Sequence, residues 1–165
     1  MRYVIDTMKA SDWEQVRSIY LEGIATANAT FEQDAPSWGQ WDIAHLQRPR
    51  LVIREGEDIL GWAALSRVSS RDVYRGVAEV SVYVGEKARG QGIGRSLLKA
   101  LIDESESEGI WTLQASIFPE NEASIKLHLK CGFREVGRRE KIGELGGIWR
   151  DTVLLERRSK RVGVE

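Results

Sequence analysis

Glu79-Val80-Ser81-Val82-Tyr83-Val84-Gly85-Glu86-Lys87-Ala88-Arg89-Gly90-Gln91-Gly92-Ile93-Gly94-Arg95-Ser96-Leu97-Leu98 reads as a strand, a glycine-rich turn and a helix. Val80, Val82 and Val84 alternate with Glu79, Ser81 and Tyr83, the period of two that a strand imposes. Gly90, Gly92 and Gly94 follow, free to take positive φ and with no side chain to hold a ligand away. Ile93, Leu97, Leu98, Leu101 and Ile102 then recur at helical spacing. The first turn of a helix leaves backbone N–H groups unpaired, and its dipole favours anions. A glycine turn feeding a helix N-terminus is therefore a candidate phosphate site, and Arg89 and Arg95 add positive charge beside it.

Two familiar phosphate motifs do not fit. A P-loop needs a Gly-Lys followed by Ser or Thr, and the chain has none. The dinucleotide fingerprint needs a third glycine at position 95 or 97, where Arg95 and Leu97 stand.

Working outward, 165 residues suit one domain spanning 1–165, long enough to bury roughly 70% of its unfolded surface. The 24 basic and 25 acidic residues leave a net charge of -1. A nucleic-acid or anionic-membrane binder would carry a basic excess, so neither partner is expected. The six Trp suit an aromatic-lined cleft or a bulky core. One cysteine excludes an internal disulfide and fits a reducing compartment. The N-terminal segment has no apolar core of signal-peptide type, so a cytoplasmic enzyme is expected.

Along the chain, residues 2–8 read as a first strand. Ser11-Asp12-Trp13-Glu14 has capping-box spacing ahead of a helix to about Thr26. Pro36-Ser37 opens a short second helix, and 51–53 with 59–68 form a hairpin turning at Gly56-Glu57-Asp58. The loop 69–76 carries Arg71 and Arg75. The long helix after the glycine turn ends near Gly109, Thr112 to Ile117 is a strand, and Asn121 caps a helix stopped by Gly132. Residues 133–139 and 149–156 close the sheet around a Gly143–Gly147 turn, and the charged tail (156–165) is expected to fray.

Arg89-Gly90-Gln91-Gly92-Ile93-Gly94 after an alternating strand resembles the pyrophosphate-binding motif of the GNAT N-acetyltransferases. Glu79-x-Ser81-x-Tyr83, Asn121-x-Ala123-Ser124-Ile125-x-Leu127-His128 and Gly132-Phe133 resemble its phosphinothricin and methionine sulfoximine acetyltransferase branch. The match runs from about Ile5 to about Leu155. The resemblance implies an α/β fold: a central twisted mixed sheet of about seven strands flanked by four helices. It implies acetyl transfer from acetyl-CoA, without a metal, to the amine of a small amino acid or analogue, in a homodimer. Another amine (a polyamine, an aminoglycoside or a protein N-terminus), or a non-catalytic acyl-CoA-binding sensor, is the alternative.

The resemblance also implies roles for residues. The cofactor would lie on the Val82, Tyr83 and Val84 backbone, on Arg89, Gly90, Gln91, Gly92, Ile93, Gly94 and Arg95, and on Asn121 and Ser124. Glu79 would be the general base. His128 stands where many relatives carry Tyr, and is either the acid that protonates the leaving thiolate or a hydrogen-bonded structural residue. Phe31 is a pocket wall or a core anchor. Arg71, Asp72, Val73 and Tyr74 belong to the acceptor loop, where the family run has an arginine and this chain has Ser69. Arg71 and Arg75 would form a fork for an acceptor carboxylate, or else a solvated loop. Trp149 and Asp151 would shape a far wall, often of a neighbouring subunit. Cys131 at a helix C-terminus, and the lack of a G-x-S-x-G elbow, argue against a covalent acyl-enzyme and for direct transfer in a ternary complex.

Overall fold

Ala78 and Val80 are buried on one face of their strand, while Tyr83 packs into a cluster on the other. That alternation sets the layers of the molecule, whose computed structural model describes residues 2–164. The strand is β4 (Val77–Val84). With β1 (Val4–Thr7), β2 (Arg50–Glu55), β3 (Asp58–Arg67), β5 (Thr112–Ile117), β6 (Arg134–Leu145) and β7 (Ile148–Arg158) it forms a seven-stranded sheet in the order β1-β2-β3-β4-β5-β7-β6. Every neighbouring pair is antiparallel but β4–β5, which is parallel. Helices α1 (Trp13–Ala25) and α2 (Trp38–Ala44) precede β2, α3 (Ile93–Ser107) joins β4 to β5, and α4 (Glu122–Lys130) joins β5 to β6. The expected fold class and element order are both found.

The sheet separates two cores. Leu51, Ile53, Ala63, Leu65 and Val80 pack with Leu97, Leu98 and Leu101 of α3. The intervening Val52, Trp62 and Ala64 pack on the opposite face with Val16 and Tyr20 of α1 and Trp41 of α2. Adjacent residues of one strand thus serve opposite cores, as a strand between two layers requires. Four of the tryptophans (Trp13, Trp38, Trp41, Trp62) belong to this second cluster and its margin. Among the described residues, no helix is long and apolar enough to cross a membrane.

Three local expectations are corrected. The first helix does not begin with a Ser11 box: a short 3-10 turn, Ala10–Asp12, precedes it, and the Asp12 carboxylate accepts the Lys9 N–H at 2.9 Å. Asp12 is buried and ion-paired to Arg54 at 3.3 Å, which sets the helix start at Trp13. The last hairpin does not turn at Gly143. β6 continues to Leu145, and the turn is Gly146-Gly147, with φ +57° and +80°. That adjacent pair satisfies a two-residue loop needing positive φ at both positions. The tail does not fray from 156. β7 reaches Arg158, the Ser159 hydroxyl is buried on the Glu106 carboxylate, and the Ser159 N–H bonds Trp111 O at 2.7 Å.

Candidate active site

β4 and β5 are paired over only three rungs: Val77 with Thr112, Ala78 with Leu113 and Glu79 with Gln114. Beyond them β5 pairs only with β7, while β4 continues against β3 through Val84. The sheet therefore forks in its middle, and β4 has an open edge from Val80 to Val84. The Gly85 N–H donates to Leu60 O of β3 at 2.7 Å. Backbone groups alternate along a strand, so the amides of Tyr83 and Ser81 also face β3, and those of Val84 and Val82 face the fork. The β3–β4 register has no shift. The edge opens because the strands diverge, and not because β4 bulges.

Glu79 stands at the vertex of the fork. Its Oε1 accepts a hydrogen bond from Gln114 Nε2 at 3.0 Å, and the carboxylate is half-buried. Gln114 was not singled out in the sequence, because a partner 35 residues away is defined only by strand pairing.

At the far end of the open edge lies the glycine turn. Gly90 and Gly92 have φ of +78° and +79°, and a Cβ on either would point into open space. They are needed for backbone conformation and leave the ligand side bare. Gly94 serves packing: a Cβ there would lie 3.2 Å from Leu127 of α4 and 3.5 Å from Val84. The first intrahelical bond is Ser96 N–H to Gly92 O, so the amides of Ile93, Gly94 and Arg95 have no acceptor within the helix. Arg89 and Arg95 are exposed and form no ion pair among the described residues. Tyr3 donates its hydroxyl proton to Gln91 Oε1 at 2.8 Å, and Glu22 of α1 accepts the Glu86 N–H at 3.1 Å, which braces the turn from two sides. The residue types and free amides here fit the pyrophosphate of a coenzyme A thioester.

The α4 residues are more committed than their motif suggests. Asn121 accepts the Ser124 N–H at 3.3 Å as helix cap, and its amide nitrogen donates to Asn28 O at 3.1 Å. The His128 imidazole is 4% exposed, bonded through Nδ1 to Ser124 O at 2.7 Å and set edge-on to Phe133. Burial pushes its pKa below the ordinary histidine value. Burial also pushes the Cys131 thiol up, away from thiolate chemistry.

On the α1/α2 face, Glu79 pairs across the sheet with Ser66. Ser66, Ser81 and Tyr83 line a cavity of about 660 Å³, walled by Tyr20, Trp41 and the loop carrying Glu32 and Asp34. Tyr83 stacks on Trp62 at 4.8 Å, and burial with the neighbouring Tyr20 raises its pKa far above the tyrosine range, so it keeps its proton. Arg71, Asp72, Val73 and Tyr74 do not line this cavity. They form an exposed 3-10 turn in which the Arg71 guanidinium lies 5.7 Å from the Tyr74 ring centre and Arg75 pairs with Asp72. Tyr74 and Arg75 instead line a second cavity, of about 640 Å³, with Arg48, Arg67 and Trp111.

Phe31 meets Phe118 edge-on at 4.8 Å, and a Cβ on Gly143 would lie 2.7 Å from its ring. Gly143 is therefore a seat for Phe31. Arg150 reinforces the same junction by donating to Ala27 O, Asn28 Oδ1 and Glu120, with its guanidinium 4.1 Å from the Phe118 ring centre. Arg150 carried no signal in the sequence, and Gly143 read there only as part of the hairpin turn. Asp151 is held within its own hairpin, where the Lys141 N–H and Arg138 lower its pKa; Trp149 is 57% exposed.

Comparison with known proteins agrees with this geometry. Residues 8–133 match the profile of the Acetyltransferase (GNAT) family. The chain is 33% identical over 160 residues to a phosphinothricin N-acetyltransferase of Alcaligenes faecalis, covering 93% of this chain and 81% of that protein. It is 35% identical over 152 residues to an L-methionine sulfoximine/L-methionine sulfone acetyltransferase of Pseudomonas aeruginosa, covering 88% of each. A phosphinothricin acetyltransferase from Sinorhizobium meliloti, solved with acetyl-CoA, superposes with a TM-score of 0.89 at 28% identity, covering 100% of this chain and 92% of that one.

Proposed function

This chain belongs to the GNAT acetyltransferase family and is an acetyltransferase, and from that premise we propose that it acetylates a small amino acid or analogue by direct transfer from acetyl-CoA. The observation that carries the reading is Glu79 at the vertex of the fork, between the open β4 edge and the cavity on the α1/α2 face. In this reading the α3 amides and the Arg89 and Arg95 guanidiniums hold the pyrophosphate. The Val82 and Val84 backbone groups align the pantetheine arm and thioester along the open edge, in the manner of an added strand.

Glu79 takes a proton from the acceptor ammonium, directly or through a water. The amine nitrogen then bonds to the thioester carbonyl carbon, and the carbon–sulfur bond breaks. Sulfur leaves as a thiolate and takes up the second proton, which the nitrogen releases as the amide forms, giving the N-acetyl product and the free thiol; the proton on Glu79 returns to solvent. Val82 and Val84 N–H groups facing the fork are the candidate donors to the carbonyl oxygen as charge builds there. His128, bonded within its own helix, supports the α4 packing. The names of the relatives point to phosphinothricin and methionine sulfoximine or sulfone as first acceptors to try. The reading also includes a cytoplasmic homodimer, supported by the lone buried Cys131 and by the exposed Ile142, Ile148 and Trp149 of the last hairpin.

The test is thiol release from acetyl-CoA in the presence of phosphinothricin, methionine sulfone, a diamine and a short peptide. Release that requires an amine supports the reading. Acetyl-CoA binding without release on any of them would replace it with a non-catalytic acyl-CoA-binding sensor.

A further inference from the structure

The cavity beside Glu79 has a definite charge. Among the described residues of its lining, Glu32 and Asp34 alone are formally charged, and both are negative. Burial lowers the pKa of His45, which also lines it, so that imidazole is neutral at pH 7. Glu32 and Asp34 stand in an exposed loop that forms part of the cavity wall, and the Glu32 charge helps to keep the phenols of Tyr20 and Tyr83 protonated. The other polar side chains of the lining are Thr30, Gln40, Ser66, Ser81, Tyr20 and Tyr83, with the Trp41 indole, whose N–H has no partner among the described residues.

Among the described residues no guanidinium lines this cavity. Arg50 lies 5.1 Å from the Trp41 ring centre but is buried and donates to Asp42, Leu46 O and His45 O. Arg75 lines the other cavity, and Arg71 lies over Tyr74. A carboxylate or phosphinate presents only acceptors and would meet carboxylates here. An ammonium presents only donors, and a wall of carboxylates and hydroxyls supplies what it needs.

We propose that this cavity receives the distal end of the acceptor and selects a second cationic group beyond the reacting amine. The acceptor class is then a basic amino acid or a diamine, in preference to an amino acid whose far end is anionic. The turnover part of this inference rests on the acetyltransferase reading; the binding part does not.

The experiment uses a matched pair, L-lysinamide and L-norleucinamide, which share the α-amine and differ in the terminal ammonium. Calorimetry on the full chain with acetyl-CoA present should give lysinamide about tenfold tighter binding, shrinking as salt is raised. The thiol-release assay should give it a kcat/KM higher by about the same factor. Glu32→Gln and Asp34→Asn, both in an exposed loop, should each move the lysinamide-to-norleucinamide ratio toward one. Equal binding of the two amides, or a preference for phosphinothricin over lysinamide, would overturn the proposal. A lysinamide preference in calorimetry without thiol release from any amine would uphold it and remove the enzyme reading instead.

Discussion

The Glu79 carboxylate and the Gln114 amide are hydrogen-bonded at 3.0 Å across the last rung on which β4 and β5 remain paired. One bond thus marks both the start of the fork and the orientation of the proposed base. A carboxylate held by a donor from the neighbouring strand keeps one oxygen fixed and the other free for substrate or water.

Gln114→Leu removes that donor while preserving side-chain bulk. We expect kcat to fall about tenfold with acetyl-CoA KM nearly unchanged, as for loss of an interaction that orients a reacting group. Gln114→Asn, which retains a shorter amide, should recover part of the loss. Steady-state kinetics on both substrates checks this; a rise in acetyl-CoA KM with constant kcat would contradict it.

Gly92→Ala puts a Cβ on a residue with φ +79° at the first turn of α3. Nothing obstructs the methyl, so the cost is conformational, about 1–2 kcal/mol. The melting temperature should drop by roughly 2–4 °C for each of those kcal/mol. Acetyl-CoA affinity should weaken as well, because the strained turn carries the amides proposed to hold the pyrophosphate. Thermal melts with and without acetyl-CoA separate the two effects.

Gly143→Ala drives a methyl to 2.7 Å from the Phe31 ring. Overpacking of this kind costs about 1–3 kcal/mol unless the ring moves. Phe31→Ala in the same chain should relieve most of that cost, giving a favourable coupling in a double-mutant cycle. Additive losses would mean that Phe31 and Gly143 do not support one another.

Much of this arrangement was legible because it is local. The valine alternation of β4, the glycine turn and the apolar stripe of α3 follow from residues within one element. β5 was bounded correctly because Pro119 and Asn121 break the chain right after it. What escaped was non-local. Gln114 is significant only when β5 lies beside β4. Gly143 looked like a turn glycine because Gly146 and Gly147 stood close by, and only the Phe31 ring reveals its role. The tail looked like a solvated charge run, yet Arg157 and Arg158 are paired with Leu113 and Thr112 of β5. The arginine loop was read from its charge and its family resemblance, and its Tyr74 and Arg75 line a different cavity from the one beside Glu79.

His45 and His128 both have pKa values lowered by burial. As pH falls through about 6.5 the unfolded chain takes up protons on both, while the folded imidazoles do not. The unfolded state then binds more protons, so stability decreases as pH drops below about 6.5 and is unaffected by these groups above it. His128→Gln should flatten that decline. Denaturant unfolding between pH 5 and 7.5 measures it, and an equal slope in wild type and variant would contradict a buried neutral His128.

The most direct measurement is thiol release from acetyl-CoA by Glu79→Gln, alongside its acetyl-CoA affinity. Glutamine keeps the oxygen that accepts from Gln114 and loses only the ability to take a proton. We predict acetyl-CoA binding within about twofold of wild type and a kcat lower by about 100-fold or more, the range for a general base. Retained turnover with unchanged binding would contradict the assignment of Glu79 as the base at the vertex of the fork.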